Sequence, residues 1–523
     1  MGRNRSCMGF LAGLMLMALV LMAPKAFAQD FVPQAEPSFE AFDAYVERNM
    51  RTWRVPGLAI AIVRGDRILH LRGYGVREEG HRAAVDADTV FAIGSNGKSF
   101  TAVMLGALED ADVLDMRDPI VGYLPSFSMI DPYANRNVTF EDALGHRTGL
   151  AQQSGLAAWY MFGAEVDELV GLVRYMPPAR PFRGGFAYNN TMFAVAAAGA
   201  SATTGLSYEV LVRTRVLTPL RMTRSSPSLD ITVRGNVATP HAYAAGAPIA
   251  TSYHPVGGAA AAGAINSTAR DMAQYVRMMM NDGSLDDVRV LRPETAARVQ
   301  QLRHVFVDEE MADMRQLIGA LEDQALVGNF GYGLGLASMT YNGATYTLHG
   351  GGIDGMTSWM AWSEDDDIGF VALTNGGNIA FPAALMFKAL RPLIGLSDED
   401  ILARIEPMRP MLTAGPVLPL PLTVLPEIAP ISAFAGAYSN RLGSFYITPG
   451  EGGARVRLAR TGYEGALRHV SGGLYAVQWD NPALPVWGFQ IEMTPLGAIG
   501  GLRGVSFDSV PWFEIAPVFV KQQ

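Results

Sequence analysis

The stretch FAIGSNGKSFTAV, Phe91 to Val103, decides how the rest of the chain is read. It holds two overlapping patterns. From Ala92, A-x-x-x-x-G-K-S is a loose phosphate-binding loop without its first glycine; from Ser95, S-x-x-K sets a hydroxyl and an amine one helical turn apart. Side chains at i and i+3 share a helix face, so Lys98 reaches the Ser95 oxygen. A lysine desolvated enough to be neutral can take the serine proton. Each pattern alone arises easily by chance, so residues further out must choose between them.

Downstream, no apolar run ends in a magnesium-binding Asp, which a nucleotide site needs. Instead, Tyr188-Asn189-Asn190 gives Y-x-N after the Arg183-Gly184-Gly185 turn, and His349-Gly350-Gly351 gives H-x-G at the end of a strand. Upstream, Arg3 and Arg5 precede the apolar run GFLAGLMLMALVLMA, and Ala26-Phe27-Ala28 follows it before Gln29. A basic start, a short apolar run and a small-x-small site make a secretory signal peptide over residues 1–28. Export to the periplasm or outside the cell argues against an ATP site. No later run reaches the ~18 apolar residues of a membrane helix, so no integral membrane segment is expected once the leader is cleaved.

Composition narrows the chemistry further. Among 523 residues there are 41 Lys+Arg and 50 Asp+Glu, a net charge of −9, with no long basic run, so no nucleic-acid partner is expected. The one cysteine, Cys7, lies in the leader, which removes disulfides, thiol nucleophiles and multi-cysteine metal sites. The histidines show no metal-ligand spacing, and neither metal nor cofactor is expected. With 49% apolar and only 17% charged residues the chain is globular.

The mixed domain is placed at 29–403. SFEAFDAYVERNM (Ser38 to Met50) has helical periodicity, and GLAIAIV and RILHLRGYGV, joined by Arg64-Gly65-Asp66, read as a β-hairpin. The middle is helical and alanine-rich. Strands return at YGLGLASMTY, ATYTLHG, MTSWMAWS and IGFVALTN, before a helix at AALMFKALRPLIG. Strands at both ends with helices between predict one sheet joining the two ends. Seven prolines from Pro407 to Pro430 read as an extended linker over 404–430, and short alternating runs over 431–523 as a small all-β barrel.

Taken together, S-x-x-K, Y-x-N and H-x-G in that order resemble the serine β-lactamase and penicillin-binding-protein superfamily, over roughly residues 36–395. LGHRTGL (Leu144 to Leu150), INSTARDMAQY (Ile265 to Tyr275) and HGGGIDGM (His349 to Met356) match as well. The C-terminal part resembles the lipocalin-like domain of some family S12 peptidases. The resemblance implies an α/β (α+β) β-lactamase/transpeptidase-like fold, an antiparallel sheet flanked by helices. It implies Ser95 as nucleophile, Lys98 as general base and Tyr188 as the second proton-transfer group. Asn190 would hold Lys98 and the substrate carbonyl, and His349, Gly351 and Gly352 would bind substrate. The N–H groups of Ser95 and Gly352 would form the oxyanion hole.

His349 stands where β-lactamases carry lysine, a permanent cation suited to a β-lactam carboxylate; a histidine is mostly neutral near pH 7. The resemblance therefore implies an exported acyl-enzyme hydrolase of a small-molecule or peptide substrate, a peptidase, amidase or esterase. Linear or D-residue-containing peptides are the favoured class, with linearised nonribosomal peptides such as microcystin among the candidates. The alternatives are a β-lactamase or D,D-carboxypeptidase, and a catalytically silent penicillin-recognising module. Read as structural were His146, expected to bond backbone near the TGL turn, and the alanine patch Gly257 to Ala264, expected as a close-packed turn. Trp159-Tyr160-Met161-Phe162 reads equally as the wall of an apolar pocket or as helix core.

Overall fold

The computed structural model describes residues 37–228, 235–254, 256–307, 310, 312–353, 355–414, 425–450, 453–507 and 512–522. The leader read at 1–28, with Cys7, lies outside these residues. The alternation in GLAIAIV explains where the sheet sits. In β1 (Gly57–Arg64), Leu58, Ile60 and Ile62 enter one core and Ala59, Ala61 and Val63 enter another. A strand buried on both faces needs a helical layer on each side. Gly65, with φ +53, makes the turn into β2 (Arg67–Gly75).

The C-terminal half of the sheet comprises β3 (His304–Val305), β4 (Val327–Tyr332), β5 (Ala337–Tyr341), β6 (Ala344–Ile353), β7 (Met356–Ser363) and β8 (Ile368–Thr374). The eight strands run antiparallel in the order β2-β1-β8-β7-β6-β5-β4-β3. The β1–β8 ladder, from Leu58 opposite Thr374 to Arg64 opposite Ile368, joins the two ends of the domain. The long helices are α1 (Glu40–Trp53), α2 (Gly97–Asp110), α3 (Thr191–Thr204), α4 (Ala269–Met280) and α5 (Ala380–Leu393). Helices α1 and α5 share the core of Leu58, Ile60 and Ile62, whereas α2, α3 and α4 share that of Ala59, Ala61 and Val63.

One detail of the sheet positions the site. Strand β5 pairs with β6 only as far as Leu348, while β7 follows β6 to Ile353. The segment His349–Ile353 therefore has a ladder on one side only, and its other edge faces the turn that carries Ser95.

Beyond the linker region, eight antiparallel strands from Gly436–Ser439 to Val518–Lys521 close into a barrel. Its aromatic core includes Phe445 against Phe489 at 4.6 Å and against Phe519 at 4.9 Å. The start of the expected extended linker is helical instead, at Ile401–Ile405 and Arg409–Leu412. Pro407 and Pro410 sit in the first turns of a 3₁₀ segment and a short helix, where the absent N–H has no intrahelical partner to lose. Residues 415–424 lie outside the described residues. Among the described residues, no helix is long and apolar enough to cross a membrane.

Candidate active site

Ser95 lies in a 3₁₀ turn, Gly94–Asn96, that leads directly into α2. Sequence puts Lys98 one turn later, and burial does the rest: α2 is buried on every side from Gly97 to Leu108, and Lys98 is fully enclosed. Its Nζ lies 3.0 Å from Ser95 Oγ and donates to the Ala262 carbonyl at 3.0 Å. Loss of solvent holds the amine well below the usual lysine range. A neutral amine can give one N–H to Ala262 and turn its lone pair to the serine.

Tyr188 OH donates to Ser95 Oγ at 2.9 Å. Burial pushes this phenol upward, so it keeps its proton where Lys98 loses its own. The two groups thereby divide acid from base, as pKa values driven apart by environment do. S-x-x-K and the Tyr of Y-x-N thus converge on one oxygen.

The remaining predicted residues divide. Asn190 precedes α3 and lines a cavity of about 320 Å³ together with Ser95, Trp159, Tyr160 and Gly352. It does not hold Lys98: its Oδ1 is buried without a hydrogen-bond partner, and Ala262 takes that role. The alanine patch that supplies Ala262 is a 3₁₀ turn and a short helix rather than a bare turn. Its small side chains let the backbone approach α2: Ala261 O also accepts from Thr101 at 2.7 Å. Nothing in a run of alanines announces such a contact.

His349 also departs from expectation. Its Nδ1 lies 2.6 Å from the Gly350 carbonyl, an acceptor only, so Nδ1 carries the proton. Nε2 then accepts from Tyr332 OH at 2.8 Å. Both ring nitrogens are used inside the protein, so His349 positions Tyr332 instead of binding substrate. Burial, reinforced by Lys98, holds its pKa down at about 3, so it stays neutral. Tyr332 ends β4 and carries no motif, which is why sequence reading passed over it. His349→Lys is therefore expected to lower ester turnover about tenfold, by stranding the Tyr332 hydroxyl. It should create no β-lactam turnover, as checked with a chromogenic cephalosporin.

Glycines 350–352 serve three purposes. A Cβ on Gly350 would meet the Trp359 ring at 2.8 Å, and one on Gly351 would meet the Ile93 carbonyl at 2.0 Å. Gly351 thus presses on the strand before Ser95 and is not among the cavity-lining residues, contrary to a substrate-binding role. Gly352 has open space around it and lines the cavity beside Ser95. Ser358 fastens the same turn, donating to Ile93 O at 2.7 Å and accepting from Asn96 Nδ2 at 2.6 Å. Gly351→Ala is expected to cost about 3 kcal/mol and to displace Ser95, seen as a lower midpoint of urea unfolding and reduced turnover.

His146, read as structural, accepts from the Asn189 N–H at 2.9 Å, so it braces the Y-x-N turn and not the TGL turn. Its ring lies 4.3 Å from that of Tyr188. Thr268 caps α4 by accepting from the Asp271 N–H, and Asn266–Ser267 pairs with Phe91–Ala92 ahead of Ser95. No group of three or more His, Cys, Asp or Glu side chains able to hold a metal occurs among the described residues.

The β-lactamase family profile matches residues 42–391, the span that contains every residue of this site. The chain belongs to the β-lactamase family. Similar proteins include an unguisins hydrolase of Aspergillus violaceofuscus, 26% identical over 76% of this chain and 74% of that protein. Penicillin-binding protein 4 of Amycolatopsis lactamdurans is 28% identical over 71% of this chain and 93% of its own length. Among solved structures, the octameric penicillin-binding protein homologue from Pyrococcus abyssi aligns at TM-score 0.59 and 19% identity, covering 93% of this chain and all of that one. A class C β-lactamase from Rhodobacter sphaeroides aligns at 0.52 and 20% identity, over 68% of this chain and all of that one. At these identities the structures speak for the fold alone. This chain is thus a β-lactamase-family serine hydrolase in which Ser95, Lys98 and Tyr188 meet at one oxygen.

Proposed function

We propose that this β-lactamase-family protein is a peptidase or amidase that works through a Ser95 acyl-enzyme on peptides with an apolar group beside the scissile bond. The observation that carries this reading is the cavity wall. Among the described residues it has no Arg or Lys, and Val256, Ala259, Ile353 and Met356 give it an apolar side. Two polar atoms of its lining residues, Asn190 Oδ1 and the Trp159 indole Nε1, are buried without a partner in the protein. One is an acceptor and the other a donor, the pair that an amide group satisfies and a simple ester does not.

In the reaction, Ser95 gives its proton to neutral Lys98 as Oγ bonds to the carbonyl carbon. The C–N bond then breaks, and the leaving amine takes a proton through Tyr188, which is replenished from Lys98. Water reverses these steps and frees the acid and Ser95. The missing carboxylate anchor argues against β-lactam or D,D-carboxypeptidase work, although the likeness to penicillin-binding protein 4 keeps both as comparison substrates. The leader read at 1–28 supports action in the periplasm or outside the cell as part of this proposal. Linear peptides that include D-residues, linearised nonribosomal peptides among them, remain the preferred substrates.

A fluorophosphonate probe with mass-spectrometric mapping, followed by a cleavage profile on L- and D-residue peptides, tests the reading. Label on Ser95 and cleavage beside apolar residues are expected. Turnover confined to β-lactams, or to C-terminal residues with a free carboxylate, would overturn it.

A further inference from the structure

Tyr160 lines the Ser95 cavity, and its ring contacts lead from there into the barrel. Its ring is stacked on His254 at 4.2 Å with the planes 19° apart, and Trp512 of the barrel lies 5.9 Å from it at 35°. His254 is itself fixed from the barrel, because Tyr463 OH meets its Nδ1 and the two rings lie 5.5 Å apart. Burial keeps the His254 imidazole down at about 3, so it remains an uncharged stacking plate.

The rest of the same segment is anchored to the barrel as well. Thr461 donates to Met161 O at 2.8 Å, and Arg460 donates to Gly163 O at 2.9 Å and pairs with Glu168. Phe162 is buried against the barrel core, 5.5 Å from Trp487 and 5.6 Å from Phe519, in a notch where a Cβ on Gly443 would strike its ring. The four residues Trp159-Tyr160-Met161-Phe162 therefore face both ways: the first two line the cavity, and the last is seated in the barrel.

We infer that the barrel is the specificity element of the enzyme: Trp512 and Tyr463 hold the Tyr160–His254 stack as the far wall of the cavity and so set the size of apolar group accepted. Tyr160 touches the substrate; Trp512 and Tyr463 are positioning residues. This inference rests on the hydrolase reading above, and it predicts an effect on substrate choice with the Ser95 chemistry left intact. A large apolar group gains from a fixed aromatic wall, whereas an acetyl group too small to reach the wall does not.

The test compares p-nitrophenyl acetate with the p-nitrophenyl ester of 3-phenylpropanoic acid on the full chain. Trp512→Ala is expected to raise KM for the bulky ester about tenfold with kcat nearly kept, to leave acetate within twofold, and to be rescued by Trp512→Phe. Tyr463→Phe, which removes one hydroxyl, should shift the ratio in the same direction by about threefold and guards against a Trp512 variant that does not fold. An unchanged ratio in both variants overturns the inference. If the unsubstituted protein hydrolyses neither ester and takes no fluorophosphonate label, the hydrolase reading fails instead. A crystal structure of Trp512→Ala then decides the wall independently: Tyr160 still stacked on His254 overturns it, and a displaced ring supports it.

Discussion

Ser95→Ala is expected to abolish fluorophosphonate labelling and to lower amide and ester turnover by roughly ten-thousandfold or more. The size follows from the convergence of Lys98 Nζ, at 3.0 Å, and Tyr188 OH, at 2.9 Å, on the one oxygen that the substitution removes. Without Oγ the two proton carriers have nothing to activate, and the cavity and backbone donors alone remain. The chain offers no thiol to replace it, because its only cysteine is Cys7. The fold should survive, since Ser95 sits in a turn held by Ser358 and Asn96 through bonds that do not involve its hydroxyl. Intact mass after probe treatment and a urea melt separate the two effects. Turnover within tenfold of the unsubstituted protein would remove Ser95 from the mechanism.

Lys98→Met is expected to cost nearly as much activity and to raise stability. Residues of one proton relay fail together, so turnover should fall on the scale of Ser95→Ala. Stability moves the other way. In the unfolded chain Lys98 stays protonated up to the ordinary lysine value of about 10.4; in the folded chain burial keeps it neutral well below that. Unfolding near pH 7 therefore takes up a proton, and the stability of the unsubstituted protein rises with pH until the ordinary lysine value is passed. Methionine has no such dependence. The variant should be about 1–2 kcal/mol more stable at pH 7, with the gap closing toward pH 10. Urea unfolding at several pH values measures this; a variant that is less stable at neutral pH means Lys98 is charged at rest. In the unsubstituted enzyme, kcat/KM should fall on the acid side as Lys98 takes up a proton. Neither His146 nor His349 should add a limb near pH 6.5, since burial keeps both neutral.

How much of this was legible in the chain depends on the range of the interaction. Lys98 and Ser95 are three residues apart on one helical turn, and their pairing follows from helix geometry alone. The hairpin follows from two apolar runs about a Gly-Asp turn, the joining of the two ends in one sheet from strands at both ends with helices between, and the barrel from short alternating runs with regular turns. The helical start of the proline-rich stretch is not legible from proline content, because Pro407 and Pro410 fall in first turns, where a missing N–H costs no bond. Likeness to a family assigns His349 and Gly351 to substrate and Asn190 to both Lys98 and substrate; the structure seats His349 on Tyr332 and Gly351 on Ile93, and leaves Asn190 on the cavity without the lysine contact.

The sequence by itself determined the fold class and the three motifs that supply Ser95, Lys98 and Tyr188, because period, order and residue type carry those. Only the tertiary structure decided what surrounds them: Ala262 on Lys98, Tyr332 on His349, and barrel residues on Tyr160. A main-chain carbonyl has no letter of its own, and a tyrosine 17 residues from its histidine is brought to it by strand register. A wall shared with a second domain appears only when both are folded. These contacts depend on where distant backbone comes to rest, which local pattern does not encode.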